Sequence, residues 1–205
     1  MDISSTIMQI MFLLSGSLLY PVIIILLALV IWTLVALGQM VSEYSERTRN
    51  LKKLKDTIHK SGKFIHENQT EEAAALLRGS ESNPQIKEFL GEICTILGNE
   101  TFSIESEKML QDYEIKFRCK LDKLKILTRT APMLGLMGTL IPLGPALMGL
   151  TSGNIQMLAS NLVIAFSTTI LGLLIAGIAY AVLLTKKRWY LQDIGDMEYV
   201  VDVLK

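Results

Sequence analysis

Two long stretches without a charged side chain decide the fold: residues 131–151, APMLGLMGTLIPLGPALMGLT, and residues 155–185, IQMLASNLVIAFSTTILGLLIAGIAYAVLLT. A bilayer hydrocarbon core about 30 Å thick is crossed by about 20 apolar residues in a helix. Each stretch is long enough to cross once, and the polar turn TSGN at 151–154 separates them. The two stretches therefore predict two consecutive transmembrane helices, TM2 over 131–151 and TM3 over 155–185.

A third charge-free segment lies near the N-terminus. No charged residue occurs between Asp2 and Glu43, and the apolar run around 22–31 predicts TM1 over residues 18–40. A helix of a soluble domain normally keeps one polar face, so these runs argue against three buried helices of a soluble α-protein. Half of the chain is hydrophobic and 20% is charged, because most of the charge is concentrated between TM1 and TM2. The sequence thus predicts an all-α integral membrane protein with three transmembrane helices.

Residues 1–17 precede the first span. They contain no Lys or Arg, so they lack the positive start of a cleavable signal peptide. Their apolar residues fall on one helical face, which favours a short interfacial helix on the outer membrane surface. An extension of the first span is the alternative. The residues of that face are Ile3, Ile7, Ile10, Met11 and Leu14.

The distribution of Lys and Arg predicts the topology. The N-terminus and the 151–154 turn have neither, whereas basic residues follow TM1 from Arg47 onwards and follow TM3 at Lys186. Because short cytoplasmic segments carry the excess of Lys and Arg, we expect the N-terminus outside. Residues 41–130 are then a cytoplasmic helical domain, and residues 186–205 are a cytoplasmic C-terminal helix.

Helix signals within the cytoplasmic segment are few. Nothing in the sequence breaks the helix of TM1 before Gly62, so we expect it to continue that far. Asn83-Pro84 predicts a helix start, since proline favours the first helical position. An apolar stripe at steps of three and four, with no stop signal, predicts one long helix that enters the membrane at Pro132 and reaches about Leu150.

Small residues and proline distinguish TM2 and TM3 from simple hydrophobic anchors. In lipid, helix association depends on close backbone approach at small residues, so both helices are predicted to pack tightly on other helices. One chain with three spans cannot cover the small-residue faces of both TM2 and TM3. The pattern therefore implies an oligomer or a foreign helix. The predicted packing and kink residues are Gly135, Gly138, Pro142, Pro145, Gly172 and Ala176.

Three threonines lie near the middle of the predicted spans: Thr139, Thr168 and Thr169. A single threonine in a membrane helix usually bonds a carbonyl of its own helix. Three at similar depth instead predict a polar ring around a narrow pore or around a partner's charged group. Because no span contains a titratable side chain, a proton pathway would need a carrier from another polypeptide.

The segment APMLGLMGT at 131–139 resembles the AP-x-x-GL-x-GT signature of the MotA/TolQ/ExbB proton-channel family. TTILGL at 168–173 resembles the last-span motif of that family, and the three-span topology is closest to its ExbB/TolQ branch. The resemblance implies a homopentameric ion-channel subunit of the prokaryotic inner membrane. It also implies a single-span partner similar to ExbD, TolR or MotB, whose aspartate faces Thr139 and Thr169. Ion flow would then drive mechanical work, as in protein transport, with no cofactor besides the transported H+ or Na+.

Some features depart from the family pattern. Ile164 stands where the ExbB/TolQ branch tends to carry a glutamate, and the adjacent Thr168 and Thr169 resemble sodium-driven flagellar stators. An alternative is a non-conducting membrane scaffold, or a transport-complex subunit, of the same fold. A third alternative, the motor of a Zorya-type defence system, is not expected, because it would have a long cytoplasmic tail. An enzyme is not expected, because the sequence contains no phosphate loop, nucleophile–base pair or metal-ligand motif.

Overall fold

The described residues of the computed structural model are 3–47, 51–66, 69–79, 83–98 and 101–205. This part of the chain is helical, and three of its helices are long and apolar enough to cross a membrane, which confirms the predicted number of spans. The helices are α1 (Ile3–Ser17), α2 (Leu19–Glu46), α3 (Leu51–His66), α4 (Thr70–Arg78), α5 (Pro84–Ile96), α6 (Phe102–Thr151) and α7 (Ile155–Leu204).

The chain divides into two compact units. One, here called the apolar unit, comprises Met1–Gly38 and Lys123–Leu183, and the other, the charged unit, comprises Gln39–Asp122 and Leu184–Lys205. The candidate membrane spans belong to α2, α6 and α7. The chain is therefore a multi-pass membrane protein by its helix content.

The predicted continuation of the first long helix to Gly62 is wrong. Helix α2 ends at Glu46, and α3 begins at Leu51 and runs through Gly62 without interruption. Directly after the end of α2, the side chain of Arg47 binds α7. A Cβ atom on Gly62 would lie 3.3 Å from the Val203 carbonyl oxygen. The glycine is thus a point of close contact between α3 and α7 instead of a helix breaker.

Residues 3–17 form a helix, and the interruption before α2 falls at Leu18. The Leu18 N–H donates to the Ser15 carbonyl at 3.2 Å, which closes a tight turn there. A Cβ atom on Gly144 of α6 would lie 3.4 Å from the Phe12 ring, so α1 packs against α6. The interfacial position of residues 1–17 in a membrane stays a prediction.

Helix α6 confirms that one continuous helix leads from the charged segment into TM2. It has 50 residues and contains Pro132, Pro142 and Pro145. The start of α5 at Pro84 is confirmed as well, with Asn83 at the N-cap position. Between α6 and α7 the predicted turn is present. There Gly153 has a left-handed φ of 72°, and Asn154 Oδ1 accepts from the Met157 N–H at 3.0 Å.

The charged unit is built around an aromatic core that joins α5, α6 and α7. Phe117 stacks on Tyr190 with ring centroids 4.6 Å apart, and Phe89 meets Tyr113 edge-on at 5.3 Å. Aromatic pairs of this geometry add to the free energy gained by burying their area. Burial raises the pKa of both tyrosine hydroxyls above the ordinary value, so they remain protonated at neutral pH. The cytoplasmic location of this unit stays a prediction.

Candidate functional site

The α6–α7 pair of the apolar unit is in direct backbone contact at two glycines. A Cβ atom on Gly172 would lie 2.7 Å from the Ala131 carbonyl oxygen and 3.0 Å from the Cα of Gly135. A Cβ atom on Gly135 would lie 3.2 Å from the Thr168 carbonyl oxygen. At this crossing the two backbones touch because neither residue has a side chain.

One helical turn away, Gly138 makes room for Thr168. A Cβ atom on Gly138 would lie 2.6 Å from both Cβ and Oγ1 of Thr168, which is closer than real Cβ contacts. Thr168 is only 5% exposed, and its hydroxyl donates within its own helix, with the Ala165 carbonyl oxygen at 2.8 Å. In the single chain Thr168 therefore fills the helix interface, and its predicted pore-lining role stays a prediction.

Thr139 and Thr169 lie at the edge of this interface and are half-buried. Thr169 Oγ1 donates across the helix pair to the Gly135 carbonyl at 3.4 Å. Thr139 Oγ1 donates to the Leu136 carbonyl of its own helix at 2.7 Å. Each is next in sequence to a member of the Gly138–Thr168 contact. With a rise of about 1.5 Å per helical residue, both hydroxyls lie at nearly the same depth as that contact.

Pro142 and Pro145 follow Thr139 within the same unbroken helix. A proline has no N–H, so the carbonyls of Gly138 and Ile141 lose their usual helical donors. In the hydrocarbon region such carbonyls are satisfied by neighbouring helices, hydroxyl groups or water. Two backbone acceptors therefore lie beside Thr139. Ala176 is half-buried on α7, two turns beyond Thr169.

The chemistry of this region is that of neutral oxygen atoms. Hydroxyls and backbone carbonyls can solvate a cation or bond a carboxyl group, but no side chain between Thr130 and Thr185 is charged. Such oxygens hold no titratable proton at neutral pH. The site can therefore bind a charged group but cannot itself act as one. These two helices therefore supply no charged side chain to this region.

For Gly135, Gly138 and Gly172 the expectation of packing against another subunit is wrong, whereas the oligomer itself stays a prediction. Their close contacts are made within one chain, because α6 and α7 form an antiparallel pair across a short turn. The other faces of the two helices carry large exposed apolar side chains, a composition suited to lipid or to further helices. They include Met133, Leu136, Leu140, Phe166, Ile170 and Leu173.

The sequence reading missed Thr33 of α2. Its side chain is 2% exposed, and its hydroxyl donates to the Leu29 carbonyl at 2.7 Å. The sequence signal for this buried hydroxyl was a threonine within an otherwise aliphatic span. It lies in the same unit as the α6–α7 pair and shows the ordinary behaviour of a membrane threonine.

Comparison with known proteins gave one match. The sequence model of a family described as the MotA/TolQ/ExbB proton channel family matches residues 86–198, more than half of the chain, including the contact region of α6 and α7. No curated protein and no solved structure matched.

Proposed function

This chain belongs to the MotA/TolQ/ExbB proton channel family, and from that premise we propose that it is the ion-conducting subunit of a membrane motor. The observation that carries the proposal is the pair Thr139 and Thr169. Both hydroxyls lie at the edge of the α6–α7 interface, at the depth of its closest contact. In the proposed motor these hydroxyls face the ion pathway, while Thr168 holds the two helices together.

The proposed partner supplies the proton-carrying group that this chain lacks in its spans. An uncharged pathway needs a carboxylate from another polypeptide, since intramembrane carboxylates are the usual proton relays. We assign this group to the aspartate of a single-span partner of the ExbD, TolR or MotB type. Several identical copies of the chain, five by family resemblance, surround the partner's helices in the inner membrane. The N-terminus is outside, and ion flow drives mechanical work.

We propose a proton as the transported ion, in keeping with the family's description. Sodium is the competing ion, because hydroxyl groups and carbonyls freed from helical bonding are typical ligands of Na+ in membrane proteins. The carbonyls of Gly138 and Ile141, beside Thr139, are oxygens of this kind. Uptake measured with opposed proton and sodium gradients separates the two ions.

Conservative removal of each hydroxyl tests the proposal. The chain is co-expressed with the proposed single-span partner, and ion uptake by the purified complex is measured in vesicles. Thr139→Val and Thr169→Val should each slow uptake about tenfold or more, the effect of about 1.4 kcal/mol on a barrier. Thr33→Val is the matched control, because it removes a buried hydroxyl of the same unit outside the α6–α7 contact.

The competing function is a non-conducting scaffold, or a transport-complex subunit of the same fold. Ile164, at the position where the ExbB/TolQ branch tends to have a glutamate, argues only against a specific assignment to that branch. In a scaffold both threonine variants would assemble and support the complex as well as the parent chain does. Equal uptake by parent and variants would exclude the two hydroxyls from the ion pathway, whereas assembly without uptake in the parent would establish the scaffold.

A further inference from the structure

Three helices of the charged unit meet at a buried ion pair that the proposed channel function does not use. Arg47, at the end of α2, binds Asp193 of α7 in a two-pronged geometry. Its Nη2 lies 2.7 Å from Oδ1 and its Nη1 lies 3.2 Å from Oδ2. The arginine side chain is 8% exposed and the carboxylate is fully buried. The pair joins residues 146 positions apart in the chain.

Further polar contacts fix both members of the pair. Arg47 also donates to the Trp189 carbonyl at 3.1 Å and lies over the Trp189 ring, 5.2 Å from its centre. Asn83 donates to Asp193 at 3.1 Å. Asn83 occupies the N-cap position of α5, but its side chain makes no capping bond. The start of α5 is thus held by the carboxylate of α7.

A second pair lies one turn earlier on α2. Lys186 of α7 is 2.9 Å from Glu43, and these side chains are 11% and 18% exposed. Gln85 of α5 donates to the same glutamate at 3.1 Å. Both pairs therefore connect the same three helices, and Glu43 is separated from Arg47 by one helical turn.

Buried pairs of this kind are poor sources of stability but strict determinants of alignment. Removing two charges from water costs about as much as their attraction returns, and apolar residues of similar volume often stabilise the fold equally well. The pKa of Asp193 is raised by burial in spite of the neighbouring Arg47, consistent with an incompletely offset desolvation cost. A two-pronged contact, by contrast, tolerates no shift of one helix along another.

We propose that the Arg47–Asp193 and Glu43–Lys186 pairs form a registry lock, which fixes one alignment of α2 and α5 against α7 and ends α2 at Glu46. The lock selects this arrangement among those that the apolar core would allow. It adds no net stability to the unit. This inference does not rest on the proposed channel function.

The test measures alignment and stability separately in the full chain in detergent. Spin labels at Ser45 of α2 and Glu198 of α7 report the distance between these helices, in a background where Cys94 and Cys119 are replaced by serine. The labelled chain is diluted into unlabelled chain so that only distances within one copy are recorded. Heat denaturation of the same samples gives the unfolding midpoint.

The lock predicts a different result for each variant. Asp193→Asn should lose the single narrow distance of the parent and lower the midpoint. The double variant Arg47→Met with Asp193→Leu should also lose the single distance, yet unfold at or above the parent midpoint. The matched control, Arg118→Met with Glu114→Leu, removes an exposed pair within α6 and should change neither measurement.

Three results would overturn the inference. A single parent-like distance in the double variant would show that the Arg47–Asp193 pair does not set the alignment. A double-variant midpoint below the parent's would show that this pair stabilises the unit. Parent-like distance and midpoint in Asp193→Asn would show that the charge plays no part.

Discussion

Helix α7 is held in two opposite ways along its length. In the apolar unit it meets α6 where side chains are missing, with Gly172 against Ala131 and Gly135. In the charged unit it meets α2 through two buried ion pairs. The difference follows from the surroundings, since lipid gives no hydrophobic reward for association and leaves close contact as the main attraction. In the charged unit the aromatic core supplies the attraction, and in the registry-lock proposal the ion pairs supply the specificity.

The largest expected effect comes from removing one residue of the buried Arg47–Asp193 ion pair. Arg47→Met leaves Asp193 buried without its cation, which should lower the free energy of unfolding by about 3–5 kcal/mol. Denaturation of the purified chain measures this change. Arg118→Met breaks an exposed pair with Glu114, and its effect should stay within about 1 kcal/mol. Equal effects of the two variants would contradict the distinction between buried and exposed pairs.

A smaller effect is expected at the glycine contact. Gly172→Ala places a Cβ atom 2.7 Å from a backbone oxygen, and overpacking of this kind typically costs about 1–3 kcal/mol. The matched control is Gly177→Ala on the same helix, where no atom lies within 4 Å of the added Cβ. Since alanine is the better helix former, the control should be neutral or more stable by about 1 kcal/mol. Resistance of the chain to heat in detergent reports both changes, and a stable Gly172→Ala protein would refute the backbone contact.

Gly138→Ala should cost about as much as Gly172→Ala, because its added Cβ would lie 2.6 Å from the Cβ of Thr168, an atom whose position is fixed by the α7 backbone. Combining it with Thr168→Gly removes the atoms in the way. Residues in contact show interaction energies of about 0.5–3 kcal/mol in a double-mutant cycle. We therefore expect the double variant to be more stable than the sum of the single variants predicts. Strict additivity would mean that the two residues do not touch.

The smallest test concerns the surface of the charged unit and leaves its fold unchanged. Cys119 is exposed, whereas Cys94 is half-buried with its thiol 3.6 Å from the Ala74 carbonyl. Burial raises the pKa of Cys94, and Arg78 offsets this only in part. A smaller fraction of Cys94 is therefore thiolate at neutral pH than would be without burial. An alkylating reagent attacks the thiolate, and Cys119 should therefore react first. The difference between the alkylation rates of the two cysteines should become smaller as pH rises. Mass spectrometry after timed labelling measures both rates, and faster labelling of Cys94 would contradict its burial.

The parts of the fold that the sequence predicted are those set by local composition. Three apolar runs without charge gave the number of spans, and the uninterrupted stripe before Pro132 gave the single helix α6. The end of α2 was missed, and the residue that follows it, Arg47, binds Asp193, a partner far away in the chain. No local signal at residues 47–50 records that contact.

The candidate site was predictable only as a list of residue types. Small residues and hydroxyls at helical spacing identified Gly135, Thr139 and Thr169, but spacing does not say which helix each one faces. Thr168 and Thr169 are adjacent, yet one is buried against Gly138 and the other lies at the edge of the interface. This division depends on the rotation of α7 relative to α6, which the packing of both helices determines together.

The turn between α6 and α7 has a mechanical consequence. Only Ser152, Gly153 and Asn154 join the two helices, and a Cβ atom on Gly149 would already lie 3.1 Å from the Asn154 carbonyl oxygen. Tied at this end and interlocked at Gly135, the hairpin has no slack that would let one arm slide past the other. In the proposed channel, opening would therefore require whole hairpins to shift against their neighbours, while each hairpin keeps its internal geometry.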